Sequence, residues 1–144
     1  MTSIIFHFNV SNRVDYTCRL VRKGVATGAN LLLWVPEEEV EQLDRALWQL
    51  SPIEFVPHCR SNATGQVIAR SPVVLTSVLT PTTNSRVLIN FCERAPDEFT
   101  AFERVIEVVG LDDAGRQAAR QRWRHYAQAG AELARHDAQG RGSQ

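Results

Sequence analysis

Charge of one sign is the first thing missing. In 144 residues, 16 Lys and Arg balance 16 Asp and Glu. A protein that grips duplex DNA without regard to sequence carries a basic surplus, so any basic patch here has to be local. Cysteine is scarce: Cys18, Cys59 and Cys92 stand far apart and are odd in number. That pattern argues against a disulfide framework and against a zinc site, and reads as reduced thiols. No apolar run approaches the roughly 20 residues of a membrane span; the longest, 31–35 (LLLWV), has the length of a strand. Met1, Thr2 and Ser3 are not a basic segment leading into an apolar one, so no secretory signal is expected. The expectation is a cytoplasmic protein with no membrane partner.

Glycine is missing where a nucleotide would need it. The turn after the first apolar segment, residues 9–13, holds none, and no Walker A sequence occurs. Backbone amides therefore cannot approach a phosphate there as they do in dinucleotide folds, which counts against a nucleotide-dependent enzyme. Gly24 and Gly28 follow a helical pattern, where caps need them. His58 and Cys59 are adjacent; neighbours in an extended segment point to opposite faces and do not form a nucleophile–base pair. His7 alternates with Phe6 and Phe8, as a packed or edge histidine does. Glu37, Glu38 and Glu39 are explained by the first turn of a helix. No catalytic residue, metal ligand or cofactor is assigned, and the expectation is a binding protein.

What is present is an alternation of strand and helix signals. Ile4–Val10 reads as a strand. Val14, Cys18, Val21 and Val25 recur at helical spacing. Residues 31–35 suit a strand buried on both faces. Pro36 and three glutamates open a helix with Val40, Leu43 and Leu47 on one face, stopped at Ser51 and Pro52. Residues 53–56 form a short apolar piece, and 59–72 read as a loop. Val73–Thr76 and Val87–Asn90 read as strands joined by a turn at 80–85, and 105–109 as another. Asp112 and Asp113 open a last helix, taken here as 112–133. This order predicts a three-layer α/β/α domain, Rossmann-like without a nucleotide site. The late strands come close together, so the sheet is expected to be mixed though mostly parallel. Residues 1–135 form the domain and 136–144 a disordered tail.

The last helix is dense with arginine. At 100° per residue, Arg116, Arg120, Trp123, Arg124 and Ala127 share one stripe, with Ala119, Tyr126, Ala129 and Leu133 on the sheet-facing flank. Arg122 falls on that inner flank and is expected to be snorkelling or paired. Three guanidiniums offer planar forks for carboxylates, and the indole supplies an apolar wall. The stripe fits a short acidic peptide with an aromatic or apolar anchor and a terminal carboxylate. Two other readings stay open: plain solvated arginines, and a single-stranded nucleic-acid module using the same helix.

LDRALWQL (43–50), EFVPH (54–58), RVLIN (86–90) and ARQRWRHYAQAG (119–130) together resemble the chi subunit family of bacterial DNA polymerase III holoenzyme, from about residue 3 to 133. The resemblance implies a non-enzymatic accessory subunit that ties the clamp loader to single-stranded DNA-binding protein (SSB), touching DNA only indirectly. It places the SSB-tail pocket on Val109, Arg116, Arg120, Trp123 and Arg124. A basic position used further along the helix in some relatives is Ala127 here. It also implies that Phe55, with Trp48 and Pro52 near it, docks the small psi subunit or, in its place, a repair helicase.

Overall fold

The computed structural model describes residues 2–49, 59–60, 73–79 and 86–139; of Trp48, Cys59 and Arg60 only the backbone is described. In chain order the elements are β1 (Ser3–Val10), α1 (Arg13–Ala26), β2 (Leu31–Trp34), α2 (Glu37–Gln49), β3 (Cys59–Arg60), β4 (Val73–Thr76), β5 (Val87–Asn90), a 3-10 turn (Phe99–Ala101), β6 (Arg104–Gly110), α3 (Asp113–Gln128) and β7 (Glu132–Asp137). The strands form one sheet in the order β3-β4-β2-β5-β6-β1-β7.

The period of two along each strand sorts side chains into two cores. On one face Leu31, Leu33, Val35, Leu75, Ile89 and Val108 meet Cys18 and Val21 of α1 and Leu43 and Leu47 of α2. On the other, Ile4, Phe6, Leu32, Trp34, Leu88, Val105 and Val109 meet Ala119 and Tyr126 of α3. These are the three layers. The central strand β2 is buried on both faces, which is why its sequence is a continuous apolar run rather than an alternation.

The helix ends follow their chemistry. The Asn12 side chain accepts from the Asp15 amide at 3.0 Å and starts α1. Gly28, at φ 85°, turns the chain after its end, a conformation open to glycine without cost. Asp112 accepts from the Gly115 amide at 2.8 Å and starts α3. No helix is long and apolar enough to cross a membrane, among the described residues.

Four expectations need correction. Every described ladder is parallel, so among the described residues the sheet is all parallel rather than mixed. β2 lies between β4 and β5, and the chain must cross it rather than fold back in a hairpin. Between β5 and β6 the return passes through the 3-10 turn, whose Phe99 and neighbouring Phe102 pack into the α3-side core, so a short irregular crossover does the work of a helix. Second, the stretch 59–72 is not wholly loop, because Cys59 and Arg60 pair with Val74 and Leu75. Third, α3 stops at Gln128; Gly130, at φ 81°, reverses the chain, so Ala129 and Leu133 do not lie on the helix's inner flank. Fourth, Glu132–Asp137 form a strand, β7, that runs beside β1, and the Ala138 amide donates to the Phe8 carbonyl at 2.9 Å; residues 140–144 lie outside the described ones. As an edge strand it can be polar and charged, which is why its sequence resembled a tail.

Candidate functional site

β1 and β6 are neighbours, yet the helices that follow them, α1 and α3, leave to opposite faces of the sheet. In an open parallel sheet such a divergence leaves a crevice beyond the carboxyl ends of the strands. Here it is widened locally. His7 pairs with Val108 and Val10 with Gly110, so Phe8 and Asn9 stand opposite the single Val109. Asn9 takes up the extra residue at φ 61°, a left-handed conformation that asparagine tolerates.

A concavity of about 770 Å³ opens at this point. Phe6, Phe8, Val109, Gly110 and Ala119 form its apolar floor, and Arg116, Arg120, Trp123 and Arg124 stand along α3 above it. Arg135 of β7 also lines it. Trp123 is half-buried, its ring 5.2 Å from Phe6 and tilted against it, so one part of the indole is anchored and another faces the opening. Arg120 and Arg124 are exposed. Arg116 donates to the Asn9 side chain at 3.4 Å, and Asn9 in turn donates to Asp137 at 3.2 Å. The turn after β1 is thus filled by side chains rather than by amides aimed at a phosphate.

A buried polar cluster sets the rotation of α3 and so the direction of its arginines. Glu107 of β6 is fully buried and accepts from Arg122 Nε at 2.8 Å, from the Tyr126 hydroxyl at 2.5 Å and from Asn90 Nδ2 at 2.9 Å. Arg122 also donates to the Glu93 carbonyl at 2.7 Å. Burial raises the Glu107 pKa above the ordinary carboxylate value, opposed by Arg122 and by the Tyr126 and Asn90 donors. Burial also raises Tyr126, with Glu107 adding to the rise. Arg122 is therefore paired inward, as its place on the wheel implied, and Arg120 and Arg124, two residues to either side of it, are exposed.

All five residues expected in one pocket, Val109, Arg116, Arg120, Trp123 and Arg124, line this concavity. Ala127 is exposed and is not among its lining. Phe55 and Pro52 lie outside the described residues; Trp48 belongs to α2, with its side chain outside them. Sequence reasoning missed Phe6, Phe8, Asn9, Gly110 and Arg135. The Phe6-x-Phe8 alternation in β1 was a usable sign, since both rings fall on the α3 face. The other chemistry-bearing groups are occupied or quiet. Arg13 donates to the Val108 and Phe91 carbonyls at 3.2 and 3.0 Å. His7 Nδ1 meets the Tyr16 hydroxyl at 2.5 Å. Burial pushes the Cys18 thiol up to about 11 and that of Cys92 to about 12, so neither is a thiolate near neutral pH.

Fold and site together define an open-sheet, parallel α/β/α domain whose switch-point crevice carries guanidiniums over an apolar floor. Comparison with solved structures agrees on the fold: the C-terminal domain of Saccharomyces cerevisiae Dbp5 superposes with a TM-score of 0.54 at 11% identity, covering 94% of this chain and 89% of that one. Sequence comparison is more specific. The model of the family described as DNA polymerase III chi subunit, HolC, matches residues 1–134. The DNA polymerase III subunit chi of Pseudomonas aeruginosa is 33% identical over 127 residues, 88% of this chain and 87% of that one. Those of Haemophilus influenzae and Escherichia coli are 30% and 29% identical, covering 76% and 81% of this chain and 76% and 79% of theirs. The chain belongs to the DNA polymerase III chi subunit family, accessory subunits of DNA replication.

Proposed function

We propose that this chain is a non-catalytic adaptor of the replicative polymerase, acting in the cytoplasm, whose crevice holds the acidic C-terminal tail of SSB. One observation carries the reading: Arg116, Arg120, Arg124 and Trp123 share one concavity with a floor of Phe6, Phe8 and Val109. An aromatic side chain seats on that floor against the indole, and the arginine forks take the terminal carboxylate and the acidic residues before it. Family membership also supports docking of psi or a repair helicase through Phe55, with Trp48 and Pro52 near it in sequence.

A single-stranded nucleic-acid module fits the same arginines less well. Stacking successive bases needs a row of open ring faces, and of the rings here Phe6 is only 4% exposed and Tyr126 not at all.

The test is calorimetric titration with a short acidic peptide ending in phenylalanine. Micromolar binding is expected, weakened by amidating the terminal carboxylate, by Arg124→Glu, and in part by salt, since the arginines are exposed. Absence of heat with that peptide, alongside tight salt-sensitive binding of oligo-dT, would overturn the reading in favour of nucleic acid.

A further inference from the structure

The concavity has two basic walls, and only one of them is helical. β7 pairs with β1 so that Leu133, Arg135 and Asp137 stand beside Ile4, Phe6 and Phe8. Those β1 residues face α3, so the period of two puts Arg135 on the same side of the sheet. It lines the same concavity as Arg120 and Arg124, from a strand rather than from the helix. Arg135 is exposed. The nearest acidic residue on its own face, Asp137, is buried and already accepts from Asn9 Nδ2 at 3.2 Å and from the Gln139 amide at 3.0 Å. Among the described residues no carboxylate forms an ion pair with Arg135.

Cations on two sides select for ligand conformation. An extended peptide turns successive side chains to opposite flanks. Lying on the Phe6 and Phe8 floor, it directs alternate carboxylates toward α3 and the rest toward β7. With α3 alone, the second set would face solvent.

We infer that Arg135 is a specificity-determining contact of this groove: from β7 it holds the carboxylates that an extended acidic peptide turns away from α3. The groove then reads acidity on both flanks of the segment before the aromatic anchor. This rests on the peptide-binding reading above and deepens it. It also supplies from the sheet the further positive charge that Ala127 does not supply from the helix.

Two synthetic peptides with the same terminal phenylalanine make the test. One carries an acidic residue at every upstream position; the other alternates acidic residues with glycine, so that only one flank is charged. The doubly flanked peptide is expected to bind the native protein about two- to fivefold more tightly, the range of an exposed charge pair. Arg135→Ala should remove most of that difference, weakening the doubly flanked peptide more than the one-flanked one, whose carboxylates still reach α3. Arg135→Lys should restore part of the difference. Circular dichroism and thermal melting of the variants check that β7 is intact. Equal losses for both peptides, or none for either, refute the inference and leave the peptide-binding reading standing. Failure of both peptides to bind the native protein refutes that reading itself.

Discussion

Replacing Glu107 by Gln keeps the shape of the side chain and removes its charge. Arg122, 5% exposed and 2.8 Å from the carboxylate, is then left as a buried cation with no counter-charge, facing only neutral acceptors, the Glu93 carbonyl and the new amide oxygen. Breaking a buried pair from one side costs about 3–5 kcal/mol, a large share of the roughly 5–15 kcal/mol that holds a domain folded. In urea, with a slope of about 1–3 kcal/mol per molar, the midpoint should fall by about 2 M. Removing both charges with Glu107→Met and Arg122→Met is the informative comparison. The orphan cation is gone, and the remaining cost is about 1–3 kcal/mol, because the Tyr126 hydroxyl loses its acceptor. The double variant should therefore be more stable than Glu107→Gln, and its loss should fall well below the sum of the losses of Glu107→Met and Arg122→Met alone. Circular dichroism against urea for the single and double variants measures this. Additive losses would show that Glu107 and Arg122 do not act as one unit and that another contact sets the rotation of α3.

Asp112→Ala removes the side chain that caps the Gly115 amide and should lower stability by about 0.5–2 kcal/mol in a thermal melt; no change would mean solvent caps the helix equally well. Trp123→Ala should abolish peptide binding measured by calorimetry while the fold persists, because the indole is only half-buried; retained affinity would remove it from the site. His7 supplies a pH test. Burial first, then the nearby His136, depress its imidazole from 6.5 to about 4. The unfolded chain therefore takes up this proton before the folded one does. Its contribution is present above pH 6.5 and is lost as pH falls through about 4. The urea midpoint should decline over that window, and His7→Gln, which can keep a hydrogen bond to Tyr16, should flatten the decline; an unaltered slope would assign the acid sensitivity to other groups.

The parts legible in the sequence are those where burial is two-sided or strictly one-sided. β4 and β5 fall on Val73–Thr76 and Val87–Asn90 as their continuous apolar runs implied, and α3 begins after the acids that cap it. β7 was illegible for the opposite reason. It pairs on one side only, and Glu132, Arg135 and His136 give it no apolar period, so its strand character comes from the ladder that β1 offers. The same blind spot hid Arg135. Five residues grouped from the sequence, four by helical period and Val109 by family resemblance, line one concavity. Phe6, Phe8, Asn9 and Arg135 come from elements distant in sequence, and beyond the Phe6-x-Phe8 alternation nothing local marked them. The parallel course of β5 and β6 was obscured because their crossover contains no helix to announce it.

The depression between β1 and β6 owes its existence to the path of the main chain, which sends one helix in front of the sheet and the next behind it. Trimming every residue around it to alanine would enlarge the hollow and not erase it. What the hollow accepts is written largely in its exposed side chains, Arg120, Arg124 and Arg135 among them, over a floor that belongs to the core. Chains sharing this path can therefore diverge in ligand preference by exchanging a few outward-facing residues, with little demand for compensating change in the interior.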